Sequence, residues 1–169
     1  MKRRLRILLL VLYLIILFIF VVIKFYGNIN DLIDRVHIIQ ADRNEGIWNI
    51  NLTTLVVLRR YLRVMKADLL HGTIINSYAI QNIIGNIIPF IPFGLLIPLN
   101  FKKMNNFLRF FIASSLFIIG IEFFQFITLL GYCDIQDYIL NIIGCSFGYA
   151  LYKLTSIAVL KVVKEGKKD

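Results

Sequence analysis

Charge and cysteine are both scarce in this chain. Only 17% of its 169 residues are charged, against about a quarter in a soluble domain. The two cysteines, Cys133 and Cys145, stand twelve positions apart, about 18 Å along a helix and too far for a disulfide. They read as packing residues. His37 and His71 are isolated, so no His/Cys cluster has zinc spacing and no metal is expected. Phosphate-binding glycine loops, nucleophile elbows and zinc-protease motifs are missing too. No cofactor is expected, and a non-enzymatic protein is favoured over an enzyme. There is no internal repeat and no low-complexity linker.

What is abundant is apolar surface: 59% of residues are hydrophobic. The net charge of +9 comes from basic residues that flank apolar runs, which fits a bilayer rather than nucleic acid. The expected fold is all-α: a single membrane domain over 1–169, a bundle of about four transmembrane helices. The spans fall at about 7–26, 82–100, 109–130 and 138–157. The first follows a basic start (Lys2, Arg3, Arg4, Arg6) and lacks a cleavage site, so it reads as a retained helix. In the second, Pro89 and Pro92 each remove a backbone donor and predict a kinked or broken helix, with Gly94 adding local freedom. Ser114, Ser115 and Gly120 in the third, and Gly144, Ser146 and Gly148 in the fourth, offer small surfaces for close helix approach.

Residues 27–81 form the long polar region. Within it, 47–65 is apolar but interrupted by Asn49, Asn51, Arg59, Arg60 and Arg63. Its apolar core, Leu52 to Leu58, is too short to span a bilayer. It predicts either a helix lying in the interface, anchored by Trp48 and Tyr61, or a surface helix packed on the spans. Four spans put both termini on one side. That side carries twelve basic and two acidic residues, whereas the other carries seven of each outside the spans. The bias predicts a multi-pass cell-membrane protein with both termini cytoplasmic.

On that topology, polar residues from three spans meet at one depth. Asn82 and Asn86 begin the second span, Glu122 and Gln125 approach the end of the third, and Asp134, Asp137 and Asn141 begin the fourth. Asn82/Asn86 and Asp137/Asn141 are i,i+4 pairs, and Glu122/Gln125 an i,i+3 pair, so each pair shares a face. Asp134 and Asp137 also suit a helix start, where carboxylates cap free amides. Glu122 lies inside a span, where a carboxylate is expensive unless paired or wetted. It reads either as a buried clamp onto Asn86 or Asn141, or as part of an outward-facing polar pocket. The second reading is preferred.

At these residues the chain resembles the VanZ-like family of small membrane proteins, named for a protein associated with teicoplanin resistance. The resemblance rests on NIIPFIPFG at Asn86 to Gly94, IEFFQ at Ile121 to Gln125, and DIQDYILNIIG at Asp134 to Gly144. It covers roughly 82–152. The family often has an Arg just before the first Asp of the third block, where this chain has Gly131, Tyr132 and Cys133. The resemblance implies a role at the cell envelope and reduced sensitivity to glycopeptide antibiotics.

The expected function is thus a cell-envelope protein whose polar pocket binds an envelope lipid, a cell-wall precursor or an amphiphilic antibiotic. Asn86, Gln125 and Asn141 would supply hydrogen bonds, and Glu122 and Asp137 would meet a cationic or hydroxylated group. One alternative is an intramembrane enzyme in which Asp134 and Asp137 hold Mg²⁺ on a polyprenyl (di)phosphate. Another is a scaffolding subunit whose small-residue stripes are contact faces. Transport would call for a homo-oligomer, since four spans alone make little channel wall.

Overall fold

The chain begins with α1, Arg3–Leu17, and its last turn widens into a π-helical coil over Phe18–Val22. This is a computed structural model; it describes residues 3–23, 28–52, 59, 63–64, 66–67, 69–70 and 78–165. Next come α2 (Ile29–Asn44), β1 (Ile50–Asn51), α3 (Tyr78–Asn100) and a short 3₁₀ turn (Lys102–Asn105). Then follow α4 (Phe107–Thr128), β2 (Cys133–Asp134) and α5 (Ile135–Glu165). The fold is all-α; among the described residues the strands are β1 and β2, two residues each, which pair in parallel with Ile50 opposite Cys133 and Asn51 opposite Asp134.

Among the described residues, three helices are long and apolar enough to cross a membrane, by length and composition: 3–22, 80–100 and 107–128. They overlap the apolar stretches 7–26, 82–100 and 109–130. The expected fourth, 138–157, lies within α5, which is 31 residues long but is not one of these three. Polar positions dilute it, among them Asn141, Ser146 and Lys153. The outward faces of all these helices are apolar, with Ile16, Leu116, Phe123 and Phe147 each more than half exposed. Such a surface belongs against lipid.

The bundle is held most tightly between α3 and α5, which run parallel. Their backbones touch at glycines. A Cβ added at Gly94 would lie 2.0 Å from the Cys145 carbonyl oxygen; at Gly144, 2.3 Å from that of Ile87; at Gly148, 2.0 Å from that of Ile91. Gly94 therefore serves close approach of the two backbones. Gly144 and Gly148 are likewise used inside the bundle, so this stripe is not a free contact face. Around the seam pack Phe90, Phe93, Phe110, Ile118 and Cys145, with Phe93 stacked on Phe117 and Phe110 on Tyr149, both at 4.7 Å.

Two sequence expectations change. α3 runs unbroken through Pro89, Pro92 and Pro98. The helix is therefore not broken at these prolines, and a neighbour packed along it helps to satisfy the freed backbone groups. Residues 47–52 are not the start of a helix: Ile50 and Asn51 are extended and hydrogen-bonded to the turn before α5. Most of 53–65 lies outside the described residues, Arg60 and Tyr61 included. α2, which no periodicity announced, begins with the Asn28 side chain accepting from Asn30 N–H at 3.0 Å.

Candidate functional site

One end of the bundle gathers the C-terminal end of α1, the N-terminal end of α3, the C-terminal end of α4 and the N-terminal end of α5. It carries Asn82, Asn86, Glu122, Gln125, Asp134, Asp137 and Asn141, whereas Pro89, Pro92 and Gly94 lie further along α3. α4 ends with Leu129 in the left-handed region (φ 59°), which turns the chain sharply toward β2. The turn brings Asp134 back over Glu122, whose Oε2 accepts from Asp134 N–H at 3.0 Å. Glu122 is buried, 5% exposed, as the cost of a lipid-facing carboxylate requires. Asp134 in turn accepts from Gln136 N–H at 2.8 Å, capping α5, and from the Asn51 amide at 2.9 Å.

The second pairing joins α3 to α5. Asn86 Nδ2 donates to Asp137 Oδ1 at 2.9 Å and to the Asn82 carbonyl at 3.0 Å, with Asn82 Oδ1 at 3.3 Å. The i,i+4 spacing of Asn82 and Asn86 therefore acts within one helix, and Asp137 ties it to the next. Gln125 has a different task. Its Nε2 donates to the Val21 and Val22 carbonyls at 2.7 and 3.1 Å. A helix leaves its last carbonyls without partners, and Gln125 satisfies two of those of α1.

Asn141 completes the set in the opposite sense. It lies one turn beyond Asp137, is 1% exposed, and neither its Oδ1 nor its Nδ2 has a hydrogen-bond partner. Gln136, 4% exposed, leaves its Oε1 unpartnered as well. Buried amides are nearly always satisfied, so unused capacity of this kind calls for an explanation such as water or a bound group. Asp134 and Asp137 do not present bare oxygens side by side. Amide N–H groups from Asn51, Gln136 and Asn86 hold them, a donor set that competes with a cation.

Residues outside the expected site set close this end. Arg43 of α2 donates from Nε and Nη2 to Asn49 Oδ1 at 2.8 and 2.6 Å and also reaches the Phe126 carbonyl. Its guanidinium lies 4.5 Å from the Phe126 ring and 5.6 Å from the Trp48 ring. Asn49, 1% exposed, donates to the Gly131 carbonyl at 2.7 Å. Arg35 reaches the Leu130 carbonyl at 3.5 Å, and Tyr132 donates to Asp42 at 3.2 Å. Burial, then the Asp42 bond and charge, push the Tyr132 hydroxyl up. Burial, then the charges of Glu122 and Asp134, push the Cys133 thiol up. Both cysteines are free.

The model of the VanZ/LLP1 family matches residues 10–157, most of the chain. The chain belongs to this family. It is also similar to Protein VanZ of Enterococcus faecium, 41% identical over 76 residues. That alignment covers 45% of this chain and 47% of the relative, so the chain spans about half the length of the curated relative it matches. No solved structure matches it. Family membership and three apolar helices make this VanZ/LLP1 chain a membrane protein. All the polar blocks described above lie inside the matched residues.

Proposed function

We propose that this chain is a cell-envelope protein whose polar bundle end binds the head of an amphiphile: an envelope lipid, a cell-wall precursor or an amphiphilic antibiotic. The observation that carries this reading is Asn141, an amide buried to 1% exposure with both polar atoms unpartnered. An unmet donor and acceptor inside a bundle cost free energy in the empty state, and a bound hydroxyl, amide or amine recovers it. Glu122, Asp134 and Asp137 favour a head that offers donors or positive charge. Asn82, Asn86 and Gln125 fix the helices around it.

α5 is the fourth span on this reading, both termini are cytoplasmic, and the polar end faces outward, where envelope precursors and antibiotics arrive. A homo-oligomer is compatible with it. The name of the enterococcal relative extends the proposal to lowered sensitivity to glycopeptides, teicoplanin among them. Metal-dependent hydrolysis of a polyprenyl diphosphate is the weaker reading, because the aspartates already hold amide donors.

The test is a deletion strain screened against cell-wall antibiotics, complemented with the wild-type gene or with Glu122→Gln. Glutamine keeps an oxygen for Asp134 N–H and removes only the charge. The expected outcome is normal accumulation of the variant without restored tolerance. A fully active Glu122→Gln protein would return this residue to a structural clamp.

A further inference from the structure

The opposite end of the bundle carries a second feature, unrelated to Asn141. A cavity of about 570 Å³ opens between the start of α1 and the segment that follows α3. Arg3 and Arg6 of α1 and Lys102 line it with cationic groups, and Ile7, Leu99 and Phe101 give it an apolar wall. No carboxylate is among its described lining residues. Its size is that of an ordinary small-molecule site.

Arg6 is anchored there rather than free in solvent. Its Nη1 donates to the Leu99 carbonyl at 3.0 Å, an orphan of the last turn of α3, and Asn100 Nδ2 reaches back to the Arg6 carbonyl at 3.5 Å. Its Nε is buried without any hydrogen-bond partner. A guanidinium N–H shielded from water with no acceptor is costly. Arg3 and Lys102 are exposed, so water screens their repulsion, but together with Arg6 they concentrate positive charge at one cavity. Phosphate oxygens answer both features, and guanidinium geometry suits them. The apolar wall beside the cations matches the chain that a lipid phosphate carries.

We propose that this cavity binds the phosphate head of an anionic lipid, with Arg3, Arg6 and Lys102 around the phosphate and the apolar chain along Ile7, Leu99 and Phe101. Two sources share that chemistry: an acidic bilayer phospholipid and a polyprenyl monophosphate.

The experiment is native mass spectrometry of the full chain released from detergent, with phosphatidylglycerol, phosphatidylcholine or a polyprenyl monophosphate added in turn. The wild-type chain is compared with the double variant Arg3→Gln/Lys102→Gln, which leaves the Arg6–Leu99 bond in place. A melting curve in the same detergent checks that the variant is folded. The wild type is expected to prefer an anionic lipid to phosphatidylcholine by about tenfold or more, the scale of two basic residues near an anionic surface. The folded variant is expected to lose that preference. Preference for phosphatidylglycerol assigns the cavity to the bilayer phospholipid, and its displacement by the polyprenyl phosphate assigns it to that lipid. Equal retention of all three, or an unchanged preference in the variant, overturns the proposal.

Discussion

Gln125 and Asn141 are equally buried, each 1% exposed, yet only Gln125 has partners. Gln125 holds the end of α1 and is therefore part of the frame. Asn141 holds nothing. Glu122 stands between these cases, tied to Asp134 N–H but close enough to the turn to act on its neighbours. Cys133 reports on that charge. Its thiol is raised by burial and by Glu122 and Asp134, so at a fixed pH near 8 it carries less thiolate than a free cysteine. Removing one of the negative charges lowers its pKa and increases the thiolate fraction. Glu122→Gln is therefore expected to speed alkylation of Cys133 by a maleimide at constant pH. Cys145 is fully buried and does not compete. An unchanged rate would mean that Glu122 is not charged beside this thiol.

At the scale of elements, the seam between α3 and α5 is what places Asn86 against Asp137. It depends on Gly94, Gly144 and Gly148, each within 2.0–2.3 Å of a partner carbonyl if a Cβ were added. Gly148→Ala is expected to destabilise the bundle by about 1–3 kcal/mol, the usual cost of overpacking, since a backbone oxygen cannot swing aside. A melting curve in detergent measures it, and an unaltered midpoint would show the seam to be looser than described. The sequence made the spans legible through long apolar runs, and the polar blocks legible through charges and amides where none belong. It announced neither α2 nor the pairing of Ile50 with Cys133. Arg43 and Asn49 act across some eighty residues, and such contacts leave no local period to read. Pro89 and Pro92 do not break α3, for a related reason. Each removes a donor locally, but the neighbour packed along the helix helps to satisfy the freed groups.

For the whole molecule, the two ends differ in chemistry. One gathers Glu122, Asp134 and Asp137, and the other gathers Arg3, Arg6 and Lys102. On the proposed topology the basic end faces the cytoplasm, the side that the positive-inside rule favours for it. Cys133 lies at the acidic end and is partly exposed, so a membrane-impermeant maleimide is expected to label it in intact cells. Labelling only after permeabilisation would invert the topology and turn the polar end away from the envelope.

On the proposed function, Asn141 is kept for a ligand rather than for the fold. Leucine has nearly the same outline and no polar atoms, so Asn141→Leu removes the unmet donor and acceptor without opening a cavity. The direct measurement pairs the melting midpoint of this variant in detergent with the antibiotic tolerance it restores to a deletion strain at matched abundance. The expected outcome is a bundle as stable as the wild type, or more stable by about 1–3 kcal/mol, together with lost tolerance. A variant that restores full tolerance would contradict it.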